Sequence, residues 1–247
     1  METGIKSSYR LGLLALGFAF ASLAVSGCAK TVSDQSAVVK QMESRPSAAT
    51  SSFFGEDFPK LQPGQEGQAA MVYVDANANW KQYDKVMLEP VEFWDGSDTK
   101  VSPQDQHTLT AYFYNKLKED LQKNFTIVDQ GGPGVLQLQV ALTNASTSTP
   151  GLRTVSVLVP QARVLNAAQS LATDSYAFAG SAEAQMKASD SVTGQFLAGA
   201  IDKRSGGVAL SNAASFKWGD AESAMDYWAD KISSRLLELQ GRAPASK

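Results

Sequence analysis

The sequence predicts an α+β domain, a mostly antiparallel sheet of about five strands with helices packed on it. Three observations carry this. Leu109, Tyr112, Phe113, Leu117 and Leu121 recur at three- and four-residue steps, the spacing of one buried helix face. Met225, Trp228, Ile232, Leu236 and Leu239 repeat that pattern near the C-terminus. Between them, two runs of alternating residues flank Asp190-Ser191-Val192-Thr193-Gly194 and read as a β-hairpin. The predicted order is β-α-β-β-(variable, helical)-β-β-α.

Residues 29–52 are rich in Ser, Ala, Gln, Thr and Lys and poor in large apolar side chains. They offer little burial to offset ordering entropy and are expected to form a flexible tether. Phe53, Phe54 and Phe58 restore apolar content, but Pro59, Pro63, Gly64 and Gly67 interrupt regular structure before Met71-Val72-Tyr73-Val74. An irregular arm packed on the domain is expected there. The first strand is predicted over residues 85–93, where Val86, Leu88 and Val91 supply β-compatible bulk and Pro90 argues for an edge or a bulge. Asp95-Gly96-Ser97-Asp98 turns the chain. Ser102 followed by Pro103, with Asp105 in the first turn, starts a helix expected to end near residue 123.

A short strand is predicted at 125–129, a turn at Gly131-Gly132-Pro133-Gly134 and a second strand at 135–142. In the latter Leu136, Leu138, Val140 and Leu142 share one face and Gln137 and Gln139 the other. After a polar loop at 144–151, residues 152–171 alternate valines and then become Ala-rich beyond Pro160, and are expected to be mostly helical. Tyr176, Phe178, Gly180, Ala182, Ala184 and Met186 alternate with Ser181, Glu183, Gln185 and Lys187, a long strand with one wet face. Residues 195–202 return as its partner, and Asp220 is expected to cap the closing helix.

The N-terminus is a separate unit. Lys6 and Arg10 precede fifteen uncharged residues, 11–25, followed by the small residues Ser26 and Gly27. That order is a secretory signal, and the run falls short of the roughly 20 residues a membrane-spanning helix needs. Val25-Ser26-Gly27-Cys28 resembles the lipobox of bacterial lipoproteins, which implies cleavage before Cys28 and its modification with diacylglycerol and a further acyl chain such as palmitate. Cys28 is the only cysteine, so it has no disulfide partner within the chain. Several acyl chains hold a membrane firmly, because each buried methylene contributes about 0.8 kcal/mol. Inner-membrane lipoproteins carry aspartate after the cysteine; Ala29 in that place implies the periplasmic face of the outer membrane.

The expected organisation is a signal peptide at 1–27, lipidated Cys28 and tether at 28–52, one α+β periplasmic domain at 53–242 and a disordered tail at 243–247. A composition of 43% hydrophobic and 19% charged residues fits an ordinary globular domain. Without residues 1–27 the chain keeps 20 of its 22 Lys and Arg and 24 of its 25 Asp and Glu, a net charge of −4. That leaves no footprint for a polyanion, and nucleic acid is not an expected partner.

Phe53-Phe54 with Leu61-Gln62-Pro63-Gly64, Tyr83-Asp84-Lys85-Val86 running to Glu89-Pro90-Val91, Val128-Asp129 with Gly132-Pro133-Gly134, and Asp190-Ser191-Val192-Thr193-Gly194 form a recurring set. With these motifs the chain resembles the uncharacterised bacterial lipoprotein family DUF 3313 over residues 53–239. The resemblance brings no catalytic residues with it. More distantly, the element order and the hairpin with its Thr-Gly turn are similar to the curli secretion lipoprotein and to lipoproteins that activate cell-wall synthases. Those relatives assemble or contact other envelope proteins, which implies partnership by analogy of fold alone.

Histidine-assisted hydrolysis needs a nucleophile and an orienting acid around an imidazole, and His107, the only one, sits at the polar start of a helix where a surface position is expected. No Gly-x-Ser-x-Gly elbow, phosphate loop, Cys-x-x-Cys or His-Glu-x-x-His occurs. Glu89, Glu92, Asp95 and Asp98 cluster in a strand-to-turn region, and Glu183, Asp190 and Asp202 in the hairpin. A pair of these could hydrolyse a glycan only at the right separation, whereas solvated faces and turn caps account for all of them. Trp228 falls on an apolar helix face. Trp80 and Trp94, which flank the first strand, are the candidate partner contacts, with core packing as the plainer alternative.

No cofactor and no catalysis are expected. The function read from the sequence is a recognition or assembly module of the cell envelope, tethered through acyl chains on Cys28 and meeting another envelope protein or a second copy of itself. The alternative is an enzyme or small-ligand binder acting on the cell wall or on lipids, which a large pocket would favour.

Overall fold

The computed structural model describes residues 31–33, 35–44, 53–94, 101–147, 180–206 and 218–243. In chain order they form β1 (Thr31–Ser33), α1 (Gln35–Ser44), a 3₁₀ turn (Gly55–Lys60), β2 (Gln62–Pro63), β3 (Met71–Val74), a second 3₁₀ turn (Trp80–Gln82), β4 (Lys85–Leu88) and β5 (Glu92–Phe93). Then follow α2 (Pro103–Leu121), β6 (Thr126–Ile127), β7 (Val135–Ser146), β8 (Ser181–Asp190), β9 (Phe196–Gly206) and α3 (Gly219–Leu239). The signal segment with Cys28, the turn at 95–98, residues 152–171 and the last residues of the tail, 244–247, lie outside the described residues.

Among the described residues all strands join one nine-stranded sheet in the order β2-β3-β9-β8-β7-β4-β6, with β1 also on β9 and β5 also on β7. Pairing is antiparallel from β2 through to β7, and β4, β5 and β6 are parallel additions. The class is α+β and mostly antiparallel, as the pattern predicted, but with nine strands in place of about five. The surplus has a simple cause. β1, β2 and β5 hold two or three residues each, too few for a two-residue period to be read. Met71–Val74, expected in an irregular arm, is likewise a sheet strand against β9.

Pro90, which has no N–H to donate, divides the predicted 85–93 strand into β4 and β5, both running parallel to β7. β7 itself runs past a bulge at Leu142/Asn144 into the expected polar loop. Ser102 caps α2, its Oγ accepting from the Asp105 N–H at 3.2 Å, and Pro103 opens the helix. Asp220 does not cap α3. It lies inside the first turn, 1% exposed, and accepts from the Gly180 N–H at 2.8 Å, tying the helix to the chain entering β8.

Both sheet faces are covered. On one, α2 and α3 bury Leu109, Phe113, Leu117, Leu121, Met225 and Trp228 against Val86, Leu136, Leu138 and Leu142. On the other, a smaller cluster joins Val38 and Met42 of α1 with Phe54, Leu61, Met71, Phe196 and Ile201. Within the expected tether, residues 31–33 and 35–44 therefore join the domain: β1 pairs with Arg204 to Gly206, and α1 packs its apolar side on the sheet. Val38, Val39 and Met42 make a stripe one helical turn long, which average composition conceals. Gly199 permits the packing, since a Cβ there would stand 2.6 Å from the Phe196 ring and 2.9 Å from that of Phe54. The face of β8 expected to be wet is buried at Glu183 and Gln185, and Lys187 pairs with Asp57 of the first 3₁₀ turn at 2.8 Å.

Candidate functional site

Three of the sequence motifs converge at one end of the sheet. Tyr83 donates its hydroxyl to Asp190 Oδ2 at 2.9 Å, and Ser191 Oγ both accepts from the Gly132 N–H at 3.0 Å and donates to its carbonyl at 3.1 Å. The other Asp190 oxygen collects the N–H groups of Val192 and Thr193 and the Thr193 hydroxyl, at 2.8 to 3.0 Å, which closes the hairpin. Gly134 sits at φ +74°, and a Cβ there would meet the Gln82 carbonyl oxygen at 2.8 Å, so the loops can close only over glycine. These residues lock three loops together and leave Val192 exposed at the tip.

Burial raises the Asp190 carboxyl, but the donors from Thr193, Tyr83 and Val192 outweigh it and hold the group below the ordinary carboxylate value. Asp190→Ala is expected to cost about 1–3 kcal/mol at pH 7 in urea unfolding. The native advantage is present above the unfolded value of about 3.9 and lost as pH falls through the lower folded value, so the gap between the two chains should narrow at pH 3.

A second assembly lies beside α3, where the helix leaves part of the sheet uncovered. β3, β9 and β8 align Val74, Ala198 and Ala188 in one cross-strand row and Val72, Ala200 and Met186 in the next. With Trp228, Ile232, Leu236 and Leu239 as its wall, this alanine floor forms a cleft of about 360 Å³. At one end stands Asp202, 4% exposed. It accepts from Trp228 Nε1 at 2.8 Å and lies 3.5 Å from the Arg204 guanidinium, which stacks 3.7 Å above the centre of the Tyr227 ring. Burial pushes the Asp202 carboxyl up, and Trp228 and Arg204 offset this only in part.

Asp202 was expected on a solvated face. Residues two apart on a strand share a face, and Asp202 is in phase with Ala198, Ala200 and Arg204 below α3. That phase was the available signal: a carboxylate and a guanidinium inside an apolar alternation.

The predicted partner contacts separate. Trp80 is core, its indole N–H donating to the Asp75 carbonyl at 3.1 Å and its ring 6.2 Å from that of Tyr83. Trp94 is half-buried, edge-on to Phe53 at 5.6 Å, with its N–H on the Glu92 carboxylate. His107 is exposed on α2. Glu89 binds Gln137, and Glu183 binds Thr143, each at 2.9 Å. Among the described residues no group of three or more His, Cys, Asp and Glu could hold a metal ion.

A family model described as a protein of unknown function, DUF3313, matches residues 50–232. The chain belongs to this family. The DUF3313 span takes in the locked loops, the floor of the cleft and α3 as far as Ile232, and the wall residues Leu236 and Leu239 lie beyond it. Among solved structures, the chain is similar to PelC dodecamers from Paraburkholderia phytofirmans. A single-substitution variant of PelC is 13% identical, with 70% of this chain and 98% of that chain covered at a TM-score of 0.38. Another PelC structure is 13% identical, with 64% and 96% covered at a TM-score of 0.36. No curated protein matches.

Proposed function

We propose that this DUF3313 protein is a recognition module of the bacterial envelope, anchored by acyl chains on Cys28 at the periplasmic face of the outer membrane and acting by binding, without catalysis. The cleft beside α3 carries the reading. Its walls are aliphatic and aromatic, its one deeply buried carboxyl is already bound by Trp228 and Arg204, and its volume of about 360 Å³ falls in the range of about 300–1,000 Å³ common to ligand sites. The lipobox-like Val25-Ser26-Gly27-Cys28 supports the anchor. A second reading, assembly with another envelope protein or a second copy, draws on Val192, 64% exposed on a rigidly held hairpin tip.

Metabolic labelling with a clickable fatty acid tests the anchor. The wild-type chain should take up label and sediment with membranes, and Cys28→Ser should do neither. Label persisting on Cys28→Ser would remove the anchor, and turnover of a cell-wall or lipid substrate by the purified chain would remove the non-catalytic role.

A further inference from the structure

We propose that the cleft beside α3 binds one aliphatic chain bearing a zwitterionic head group, a single-chain phospholipid of the surrounding envelope. This rests on the reading of the cleft as the binding element and names its ligand. The floor and walls argue for the chain. Val72, Val74, Ala200, Met186, Ile232 and Leu239 line the cleft and are only partly buried, although Val74, Met186, Ile232 and Leu239 border the core, and together they make a strip of aliphatic surface along α3. A hydrocarbon chain covers such a strip without needing a hydrogen-bonding partner.

The charges at the opening argue for the head. Arg235 and Glu238 neutralise each other at 2.8 Å. Lys231, exposed on the α3 bank with its Nζ 5.8 Å from the Tyr227 ring centre, and Glu66, exposed on the facing loop, form no ion pair with a described residue. One bank therefore offers a cation to a phosphate and the other a carboxylate to an ammonium. Asp202 is not the ammonium's partner, because Trp228 and Arg204 already occupy it. Lys231 follows Tyr227 by one helical turn, and Glu66 lies just before Ala70, whose N–H bonds Asp202, so the head sits at the Asp202 end and the chain runs toward Leu239 and Val74.

Calorimetric titration of the full chain with twelve-carbon ligands below their micelle concentrations tests this. Dodecylphosphocholine should bind about two- to fivefold more tightly than either dodecanoate or dodecyltrimethylammonium, the factor one exposed charge contact supplies. Lys231→Glu should move the preference to dodecyltrimethylammonium and Glu66→Lys to dodecanoate, both on a surface that leaves the fold intact. Ala200→Phe, which fills the floor, should abolish binding of all three. Equal affinity for the three heads, or preferences unmoved by the two charge reversals, overturns the proposal. Failure of all three to bind while Cys28 still takes up fatty acid also overturns it, and leaves the anchored protein without this ligand.

Discussion

Trp228→Ala is expected to lower the unfolding free energy by about 3–5 kcal/mol, the range for deleting a large aromatic from a core. The indole is 6% exposed, its ring lies 5.9 Å from that of Phe113 on α2, and its N–H donates to Asp202 at 2.8 Å. Truncation therefore opens a cavity where both helices meet the sheet and strips a buried carboxyl of a partner. Against a domain stability of about 5–15 kcal/mol, the loss consumes much of the total. Urea unfolding should show an earlier midpoint with little change in slope. Trp228→Phe keeps one ring against Phe113 but loses the N–H and the second ring, so it should cost less than Trp228→Ala and still shift the midpoint. A midpoint unmoved in Trp228→Ala would mean that α3 is not the cover of the sheet.

The same residue marks what the sequence made legible. Trp228 belongs to a stripe long enough for a helical period to stand out, and α2 and the β8–β9 hairpin were readable for the same reason: each repeats its pattern several times. Elements that depend on a distant partner were not readable. β1 and β2 are strands only because β9 and β3 supply their hydrogen bonds, and α1 is held by a cluster drawn from the first 3₁₀ turn, β3 and β9. The candidate site divides in the same way. The motifs around Tyr83, Gly134 and Asp190 were visible as motifs, but that they lock one another is a fact of topology. The cleft was hidden because it is made by what α3 fails to cover. Trp80 left two readings open, with core packing the plainer, because a tryptophan beside a strand looks the same in sequence whether its N–H reaches a partner protein or, as here, the Asp75 carbonyl.

Arg204→Met should cost about 3–5 kcal/mol at pH 7, the usual penalty for leaving one member of a buried ion pair uncompensated, and most of that loss should return near pH 4. The sign follows from Asp202. Burial raises its folded pKa above the unfolded value of about 3.9, with Trp228 and Arg204 opposing the rise. For an acid shifted upward, the unfolded chain releases its proton first, so stability is greatest below the unfolded value and falls as pH climbs toward the folded one. Without the guanidinium 3.5 Å away, the folded value rises further, and the fall becomes larger and extends to higher pH. Methionine retains most of the arginine stem's bulk but not the guanidinium stacked on Tyr227. Adding Asp202→Asn removes the ionisation and keeps an oxygen for Trp228 Nε1, so the double variant should regain more than half of the loss at pH 7 and show the flatter profile. Non-additivity of that kind is the expected signature of two groups in direct contact. Unfolding measured from pH 4 to pH 8 for the three chains decides it: parallel profiles for the native chain and Arg204→Met would mean that Arg204 does not compensate the carboxyl buried at the end of the cleft.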